Sequence, residues 1–312
     1  MIEMLDFNLK SSPLQLLENF AGTNISLHIK REDLLHPFVS GNKFRKLKYN
    51  LLEAKKINAK TILTFGGAFS NHIAAVAAAG KLMSFKTIGV IRGEELGVDL
   101  ENTLANNPTL RFAKEQGMKF HFISREKYKE KDSSEFIENL KSKFGEFYLI
   151  PEGGTNARAV KGCEEIIGEE DSNFDIICCP VGTGGTISGI INASQNNQQV
   201  WGFPALKGDF LQAEIEKYTA KTNWKLITDY HFGGYAKVNQ DLINFINDFK
   251  RKYHISLDPI YTGKMIFGIF DLLEKSAIPE NSRILAVHTG GLQGIEGMNQ
   301  QLSRKKLPLI DV

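Results

Sequence analysis

The chain has 312 residues, of which 42% are hydrophobic and 24% charged, proportions typical of a soluble protein with one large or two ordinary domains. Its 38 basic and 36 acidic residues leave a formal net charge of +2, so no overall field favours nucleic acid or an acidic membrane as a partner. No stretch approaches the roughly 20 apolar residues of a membrane helix, so we expect no membrane span.

A β-rich run, a turn and a helical pattern recur along the first half of the chain. Strands that alternate with helices at this spacing predict parallel βαβ units with right-handed crossovers. We predict strands at residues 61–65, 87–91, 119–123 and 147–150, and helices at residues 70–83, 103–116 and 133–144.

The second half repeats this alternation with more apolar strands. Residues 175–181 form a continuous apolar run, as expected of a strand buried on both faces, and residues 200–203 and 283–288 predict two more strands. Two of these strands lead into glycine turns, at residues 182–186 and 289–291. The fold class is therefore predicted to be α/β, and such sheets bind ligands beyond the carboxyl ends of their strands, where these turns lie.

The cysteines and histidines indicate neither disulfides nor a metal. Cys163, Cys178 and Cys179 have no CxxC spacing, and the last two lie in the apolar run, so we predict that they are buried strand residues. The 7 histidines show no HxxxH or HExxH spacing, which predicts no metal site. Residues 1–6 lack the pattern of a secretion signal, so we expect a cytoplasmic protein.

A basic cluster occurs at the predicted start of a helix, in Gly41-Asn42-Lys43-Phe44-Arg45-Lys46. Such a cluster is most often a solvated face, and the spacing alone favours that interpretation. A lysine held at a helix start can differ, because the positive helix end lowers its pKa and favours the free amine.

A second loop, residues 66–69, leads through Ser70, Asn71 and His72 into an alanine-rich helix. Ser70 or Asn71 suits the N-cap, so the loop can simply be a well-capped helix start. Amides and a hydroxyl at a positive helix end can equally bind a carboxylate. The loop alone does not decide between these two hypotheses.

The turn Gly182-Thr183-Gly184-Gly185-Thr186 has the composition of a phosphate-binding loop. Glycine lets the backbone approach an anion, and the threonine hydroxyls add donors at a helix N-terminus. Tight packing also selects glycine, so a purely structural turn remains an alternative. The turn lacks the closing Gly-Lys-Ser/Thr of a Walker loop and the GxGxxG of a dinucleotide site, which disfavours a nucleotide-binding oxidoreductase.

These loops, in this order, resemble those of the 1-aminocyclopropane-1-carboxylate deaminase and D-cysteine desulfhydrase family, which belongs to the fold-type II pyridoxal-phosphate enzymes. The resemblance spans nearly the whole chain. Its matching segments are residues 30–33, 40–47, 66–72, 181–186, 257–264 and 288–291. Six ordered motifs are far more specific than any one of them, so they reverse the interpretation of the basic cluster.

The resemblance implies a role for each matching residue. Lys43 is expected to form the Schiff base with pyridoxal 5'-phosphate and to move the substrate α-proton, while Asn42 contacts the ring hydroxyl of the cofactor. The 182–186 turn is expected to bind the phosphate. Residues 70–72 are expected to hold the substrate carboxylate, with Ser70 close to the reacting carbons, and Tyr261 is expected to lie near the substrate.

Two positions bear on the branch of the family. Its deaminases typically carry a glutamate after that tyrosine and an apolar residue after the histidine of the His-x-Gly-Gly turn, where this chain has Thr262 and Thr289. A carboxylate beside the pyridine nitrogen keeps the ring a strong electron sink, which opening a cyclopropane requires. A hydroxyl leaves a weaker sink, which suffices for β-elimination. Thr262 and Thr289 are therefore expected at the cofactor and favour D-cysteine desulfhydrase chemistry.

The predicted reaction converts D-cysteine to pyruvate, ammonia and sulfide, with the cofactor supplying the electronics and the protein supplying orientation and proton transfer. The alternatives are deamination of the cyclopropane amino acid and dehydration of a D-serine-type substrate. A non-catalytic binding protein is a third hypothesis, which the intact lysine and glycine turn disfavour. The chain is somewhat short for the family, residues 153–156 match its glycine turn only loosely, and residues 230–235 carry little local motif. Substrate selectivity is expected to depend on these segments.

The resemblance also implies the architecture, a tryptophan-synthase-β-like fold with two domains, each an open, mostly parallel sheet flanked by helices. Residues 1–44 and 152–312 are expected to form a large cofactor-binding domain, and residues 45–151 a small inserted domain, with the site between them. Family members are homodimers as a rule. The expected partners are therefore a small amino-acid substrate and a second copy of the chain.

Overall fold

The computed structural model describes residues 12–311, which form ten strands and eleven α-helices. The strands are β1 (Leu14–Phe20), β2 (Ile25–Lys30), β3 (Thr61–Gly67), β4 (Lys86–Arg92), β5 (Lys119–Ile123), β6 (Tyr148–Ile150), β7 (Ile176–Val181), β8 (Gln199–Pro204), β9 (Trp224–Leu226) and β10 (Arg283–Val287). The helices are α1 (Asn42–Lys56), α2 (Asn71–Leu82), α3 (Leu100–Asn106), α4 (Pro108–Glu115), α5 (Ser134–Phe144), α6 (Ala157–Glu164), α7 (Gly185–Ala193), α8 (Phe210–Glu216), α9 (Gln240–Tyr253), α10 (Thr262–Glu274) and α11 (Ile295–Arg304). Residues 1–6, on which the secretion-signal prediction rests, lie outside this range.

The strands form two separate sheets. The larger sheet has the order β1-β2-β10-β7-β8-β9, in which only the β1–β2 pair is antiparallel. The smaller sheet has the order β5-β4-β3-β6 and is parallel throughout. The predicted α/β class with two mostly parallel sheets is therefore confirmed. The smaller sheet lies within residues 45–151, but the exact domain bounds at residues 44 and 151 stay a prediction.

The larger sheet is covered by helices on both faces, because its central strand β7 is buried and carries no polar side chain. Along β7, Ile176 and Cys178 pack in one core with α9, α10 and α11, whereas Ile177, Cys179 and Val181 pack in another with α6, α7 and α8. Successive side chains of a strand point to opposite faces, so a continuous apolar run fills two cores. The predicted burial of Cys178 and Cys179 is confirmed.

The smaller sheet is also a three-layer unit. Helices α1, α2 and α4 contribute to a core on one face, and α5 supplies Phe136 and Leu140 to a core on the other. The alanine-rich stretch of α2, predicted as a helix, is almost wholly buried. Small side chains there let the helix lie close to the sheet, which fixes the position of the loop that precedes it.

Most predicted elements occur within one or two residues of their expected bounds, and β5 matches exactly the predicted residues 119–123. The single helix predicted at residues 103–116 is wrong, because two helices, α3 and α4, meet there. Pro108 occupies the first turn of α4, and Asn107 adopts an extended conformation and accepts a hydrogen bond from Leu110 N. A proline cannot continue the preceding helix, so the chain turns at this point.

None of the helices in residues 12–311 is both long and apolar enough to cross a membrane. In the same range no group of three or more His, Cys, Asp or Glu side chains is placed to hold a metal ion.

A buried ion pair anchors the start of α1. The guanidinium of Arg45 donates from Nε to Glu32 Oε2 and from Nη2 to Glu32 Oε1, both at 2.9 Å, and both side chains are fully buried. Arg45 Nη1 also lies 3.6 Å from Glu165 Oε2. The spacing of this basic cluster favoured a solvated face. Two of its members, Arg45 and Lys46, are instead buried.

We predict that Glu32→Leu lowers the free energy of unfolding by about 3–5 kcal/mol, because it leaves the Arg45 guanidinium buried without the carboxylate that accepts two of its protons. Urea titration followed by circular dichroism measures the loss. The double variant Glu32→Leu/Arg45→Met should recover most of it. A double variant that loses the sum of the two single losses would contradict this account.

Candidate active site

The carboxyl ends of strands from both sheets face one cavity of about 460 Å³. Its walls come from the loop before α1, the starts of α1 and α2, the glycine turns after β7 and β10, and the segment around Tyr261. The cavity therefore lies where parallel α/β sheets bind ligands. The residues of the predicted site that line it are Asn42, Lys43, Ser70, Asn71, His72, Gly182, Thr183, Gly184, Thr186, Tyr261 and Thr289.

Lys43 lies at the second position of α1, where the backbone is held by a close approach of two turns. Gly41 adopts a φ of 62°, and a Cβ built on it would lie 2.0 Å from Thr289 O, so only glycine fits. Asn42 N donates to that same carbonyl oxygen at 3.1 Å. The start of α1 is thereby fixed against the turn after β10.

Lys43 is half-buried and lines the cavity, and no hydrogen bond or ion pair involves its side chain within residues 12–311. Burial and the neighbouring charge of Lys46 lower the pKa of Lys43 to about 7. Half of the amine is then unprotonated near neutral pH, whereas an ordinary lysine is almost fully protonated. Such an amine can attack an aldehyde or accept a proton.

The turn after β7 has the donors that a phosphate requires. The backbone amides of Gly182, Thr183 and Gly184 donate to no protein acceptor within residues 12–311, and α7 begins directly after them. Lys46 is 2% exposed, and its Nζ donates to Gly153 O at 3.1 Å, Thr155 Oγ1 at 3.0 Å and Thr183 Oγ1 at 3.3 Å.

Lys46 pairs with no carboxylate among the described residues, and burial lowers its pKa. A buried cation beside unpaired amides at a helix N-terminus favours a multiply charged anion. The residues present therefore fit the phosphate group of pyridoxal 5'-phosphate. The free amine of Lys43 can react with the aldehyde group of the same cofactor.

Asn42 links the lysine helix to this turn. Its Nδ2 donates to Thr186 Oγ1 at 2.8 Å, so the amide side chain lies between Lys43 and the glycine turn. Thr289, which follows β10, also lines the cavity and is 7% exposed. The positions of Asn42 and Thr289 agree with the contacts predicted for them. The contacts to a cofactor themselves stay predictions.

The loop before α2 presents its polar groups to the cavity. Ser70 is the N-cap of α2, and its Oγ accepts from Ile73 N at a long 3.4 Å. Asn71 Oδ1 accepts from Gln293 Nε2 at 2.5 Å. A helix N-terminus with a serine hydroxyl and a fixed amide side chain can bind a carboxylate.

His72 is buried beneath this loop and is 2% exposed. Thr64 Oγ1 donates its single proton to Ile150 O at 2.8 Å, so His72 Nε2 is the donor in its own 2.8 Å hydrogen bond with Thr64. Burial, reinforced by Lys43 and Lys46, lowers the pKa of His72 well below its usual value. His72 Nδ1 has no hydrogen-bond partner within residues 12–311. The residue is thus a neutral part of the cavity wall.

Tyr261 lies on the opposite wall, against the glycine turn. A Cβ built on Gly182 would lie 3.1 Å from its Cε1 atom, so the missing side chain there makes room for the tyrosine ring. Burial and the neighbouring Tyr235 and Asp258 raise the pKa of Tyr261 well above its usual value. Its hydroxyl is therefore a proton donor across the whole range of neutral pH.

Two of the predicted residues do not line the cavity. Gly185 is buried as the first residue of α7. Thr262 is fully buried, and its Oγ1 donates to Asp258 Oδ2 at 2.7 Å while accepting from Asp258 N at 2.9 Å. The hydroxyl of Thr262 is thus engaged with Asp258 and is not directed to the cavity.

Some lining residues were not singled out from the sequence. Lys46 was included in the basic cluster without a role, although its i,i+3 spacing from Lys43 places both side chains on one helix face. Tyr235 and Gln293 come from segments with no recognised motif, and Phe38 and Phe112 meet at the mouth of the cavity with ring centroids 5.6 Å apart. Only the packing of distant segments brings these four residues to the site.

Comparisons with known proteins agree with this geometry. Residues 6–290 match the family model described as "Pyridoxal-phosphate dependent enzyme". A mitochondrial bifunctional D-cysteine desulfhydrase/1-aminocyclopropane-1-carboxylate deaminase of Arabidopsis thaliana is 31% identical over 89% of this chain and 75% of its own length. A 1-aminocyclopropane-1-carboxylate deaminase of Rhizobium rhizogenes is 28% identical over 91% of this chain and 92% of its own. The crystal structure of a deaminase homologue superposes with a TM-score of 0.81 at 27% identity, over 96% of this chain and 95% of the other.

We predict that Lys43 reacts with a small aldehyde far below the pH at which ordinary lysines react. Because its lowered pKa is about 7, the reactive free amine is present above pH 7 and is lost as the pH falls through that value. Reductive methylation with formaldehyde and cyanoborohydride, mapped by mass spectrometry, measures the rate at each lysine. Surface lysines of the same chain are the internal reference. A methylation rate of Lys43 with the same pH dependence as theirs would refute the prediction.

We predict that Lys46→Met weakens binding of pyridoxal 5'-phosphate about 30-fold, the effect of losing about 2 kcal/mol of attraction between a buried positive charge and the phosphate. Titrations followed by absorbance measure the affinity. Pyridoxal, which lacks the phosphate, should bind the variant and the unaltered protein equally. Lys55→Met, at an exposed position on the same helix, is the matched control. Equal losses for the two ligands would mean that the charge of Lys46 does not favour the phosphate.

Proposed function

Because the chain belongs to the pyridoxal-phosphate-dependent enzymes, and within them to the 1-aminocyclopropane-1-carboxylate deaminase and D-cysteine desulfhydrase family, we propose that it converts D-cysteine to pyruvate, ammonia and sulfide. The family and the cofactor, pyridoxal 5'-phosphate, are the premise, and the substrate is the proposal. In this reaction the Cα–H and Cβ–S bonds break, and one water molecule is consumed when the released 2-aminoacrylate hydrolyses.

The observation that carries the choice of substrate is the absence of an unpaired carboxylate from the described cavity wall. Asp33 lines the cavity, but Arg31 binds both of its oxygens, at 2.9 and 2.7 Å. Asp258 lies behind the wall, where its oxygens accept from the amides of Ile260, Tyr261 and Thr262. A cavity without a free carboxylate favours elimination of a good leaving group over opening of a cyclopropane ring.

When bound, the cofactor withdraws electrons from the substrate α-carbon. The protein must then remove the α-proton, and Lys43 Nζ is the base with the appropriate pKa, about 7. Its position at the helix start and its lack of other hydrogen bonds leave the lone pair available. We therefore assign the proton transfer at the α-carbon to Lys43.

The substrate carboxylate is assigned to the start of α2. Ser70 and Asn71 line the cavity at the positive end of this helix, and Gln293, which also lines it, donates a hydrogen bond to the Asn71 amide oxygen. A carboxylate bound there would direct the α-carbon of a small amino acid toward the interior. Neutral His72 packs beneath the loop without adding a charge.

The substrate sulfur leaves as hydrosulfide, and Tyr261 can stabilise the developing negative charge by donating a hydrogen bond. Its raised pKa keeps the hydroxyl protonated, and Tyr261 and Lys43 line the same cavity. Tyr235 packs edge-on against it, with ring centroids 6.3 Å apart. We propose that Tyr261 donates a hydrogen bond to the leaving hydrosulfide as the Cβ–S bond breaks.

A second candidate is deamination of 1-aminocyclopropane-1-carboxylate. It is favoured by the names of the relatives, since the Arabidopsis protein carries both activities in its name and the Rhizobium protein carries the deaminase alone. A dehydratase of D-serine-type substrates would use the same groups with a poorer leaving group. The homodimer, the cytoplasmic location and the domain bounds remain proposals that accompany this function.

We predict that the holoenzyme releases pyruvate, ammonia and sulfide in equal amounts from D-cysteine and no 2-oxobutyrate from the cyclopropane amino acid. Lys43→Ala should lower the rate by about a thousandfold, the range of general-base catalysis. Lys55→Met is again the control and should retain full activity. Colorimetric assays of keto acid and sulfide on a panel that includes L-cysteine and D-serine measure the outcome. Release of 2-oxobutyrate at a rate comparable with that of pyruvate would overturn the assignment in favour of the second candidate.

A further inference from the structure

Lys264 is a buried lysine that the proposed reaction does not use. It lies on α10 three residues after Tyr261 and is 2% exposed. Its Nζ donates to two backbone carbonyl oxygens, His231 O and Gly234 O, each at 2.9 Å. It forms no ion pair with a carboxylate within residues 12–311, and burial lowers its pKa to about 8. Burying an ammonium group without a paired anion costs free energy, which other interactions of the fold must offset.

The two carbonyl groups belong to a loop with unusual backbone geometry. Phe232, Gly233, Gly234 and Ala236 all have positive φ angles, of 54°, 90°, 116° and 55°. Non-glycine residues rarely adopt this region, because Cβ clashes with the backbone, and each such residue costs about 1 kcal/mol or more. A loop of this kind persists only where other contacts hold it.

The strained loop carries Tyr235 to the cavity. Tyr235 lines the cavity, remains 44% exposed and packs edge-on against Tyr261. Phe232, at the start of the loop, packs on Phe267 of α10 with ring centroids 5.1 Å apart. The loop is therefore bound to α10 by one aromatic contact and by the Lys264 ammonium group.

We propose that Lys264 is a positioning residue that holds residues 231–236 beside the cavity and so places Tyr235 next to Tyr261 as part of the cavity's cover. The ammonium group is suited to this task because it donates to two carbonyls of one loop at once. The inference rests on the proposed function only in taking this cavity as the place where substrate binds. The attachment of the loop is independent of which substrate that is.

Limited proteolysis tests the attachment of the loop without any turnover. In Lys264→Met, chymotrypsin should cut after Phe232 or Tyr235 about tenfold faster than in the unaltered protein, with and without cofactor, since the equivalent of one or two hydrogen bonds is lost. Lys237→Met is the matched control, because Lys237 is an exposed lysine beside the same loop. Cleavage of Lys264→Met at the unaltered rate would overturn the proposal.

The kinetics of the holoenzyme test whether Lys264 acts through Tyr235. Lys264→Met should raise KM by about tenfold with little change in kcat, and so should Tyr235→Ala, because both remove the same cover. In the Tyr235→Ala background, Lys264→Met should add no further effect. Effects that multiply in the double variant would show that Lys264 does not act through Tyr235.

Lys264→Gln tests the same attachment if Lys264→Met does not fold. Lys264→Gln retains two amide protons, so it should show cleavage intermediate between those of the unaltered protein and a released loop. Protection equal to that of the unaltered protein would contradict the role of the ammonium group. If no amino acid is turned over at all, the proposed function fails, while the proteolysis result still decides the attachment of the loop.

Discussion

The ammonium group of Lys46 is buried, and the three atoms that accept its protons are neutral oxygens. Burying a cation without an anion costs free energy, and the unpaired amides of the adjacent glycine turn add further positive potential. Both costs are relieved when an anion binds between them. Burial is the main cause of the lowered pKa values of Lys43 and His72, and the charge of Lys46 lowers both further.

The position of Lys46 depends in turn on how α1 is attached. Arg45 binds Glu32 through two hydrogen bonds in the protein interior, and Gly41 lets the preceding turn contact the backbone after β10. Lys43 and Lys46 lie one helical turn apart on the resulting fixed helix. One points its amine into the cavity, and the other points its amine at the glycine turn. The geometry needed to bind an aldehyde and a phosphate of one molecule is thus built into a single helix start.

The parallel strands and the glycine turns could be predicted from the sequence because both signals are local. An apolar run such as residues 175–181 indicates a strand buried on both faces, and glycines after it indicate a close backbone approach. The break at Pro108 was also a local signal, but it was overridden by the helical pattern on either side. The order of the motifs was sufficient to predict the family.

Other parts of the site could not be predicted, because they arise from the packing of distant segments. Tyr235 lies in a loop whose carbonyl groups accept from Lys264 on α10, a contact that no local sequence signal predicts. Gln293 binds Asn71 across 222 positions of sequence. Thr262 was expected at the cofactor. Its hydroxyl instead donates a hydrogen bond to the Asp258 carboxylate.

The central claim is that Lys43, and no other lysine, holds the cofactor covalently, while the buried charge of Lys46 favours the phosphate at the adjacent glycine turn. Reduction of the holoenzyme with borohydride, followed by mass mapping of its peptides, tests this most directly. The account predicts one pyridoxyl phosphate group per chain, located on Lys43, with Lys46 unmodified. A group found in that amount on Lys46, on Lys264 or on a surface lysine would contradict it.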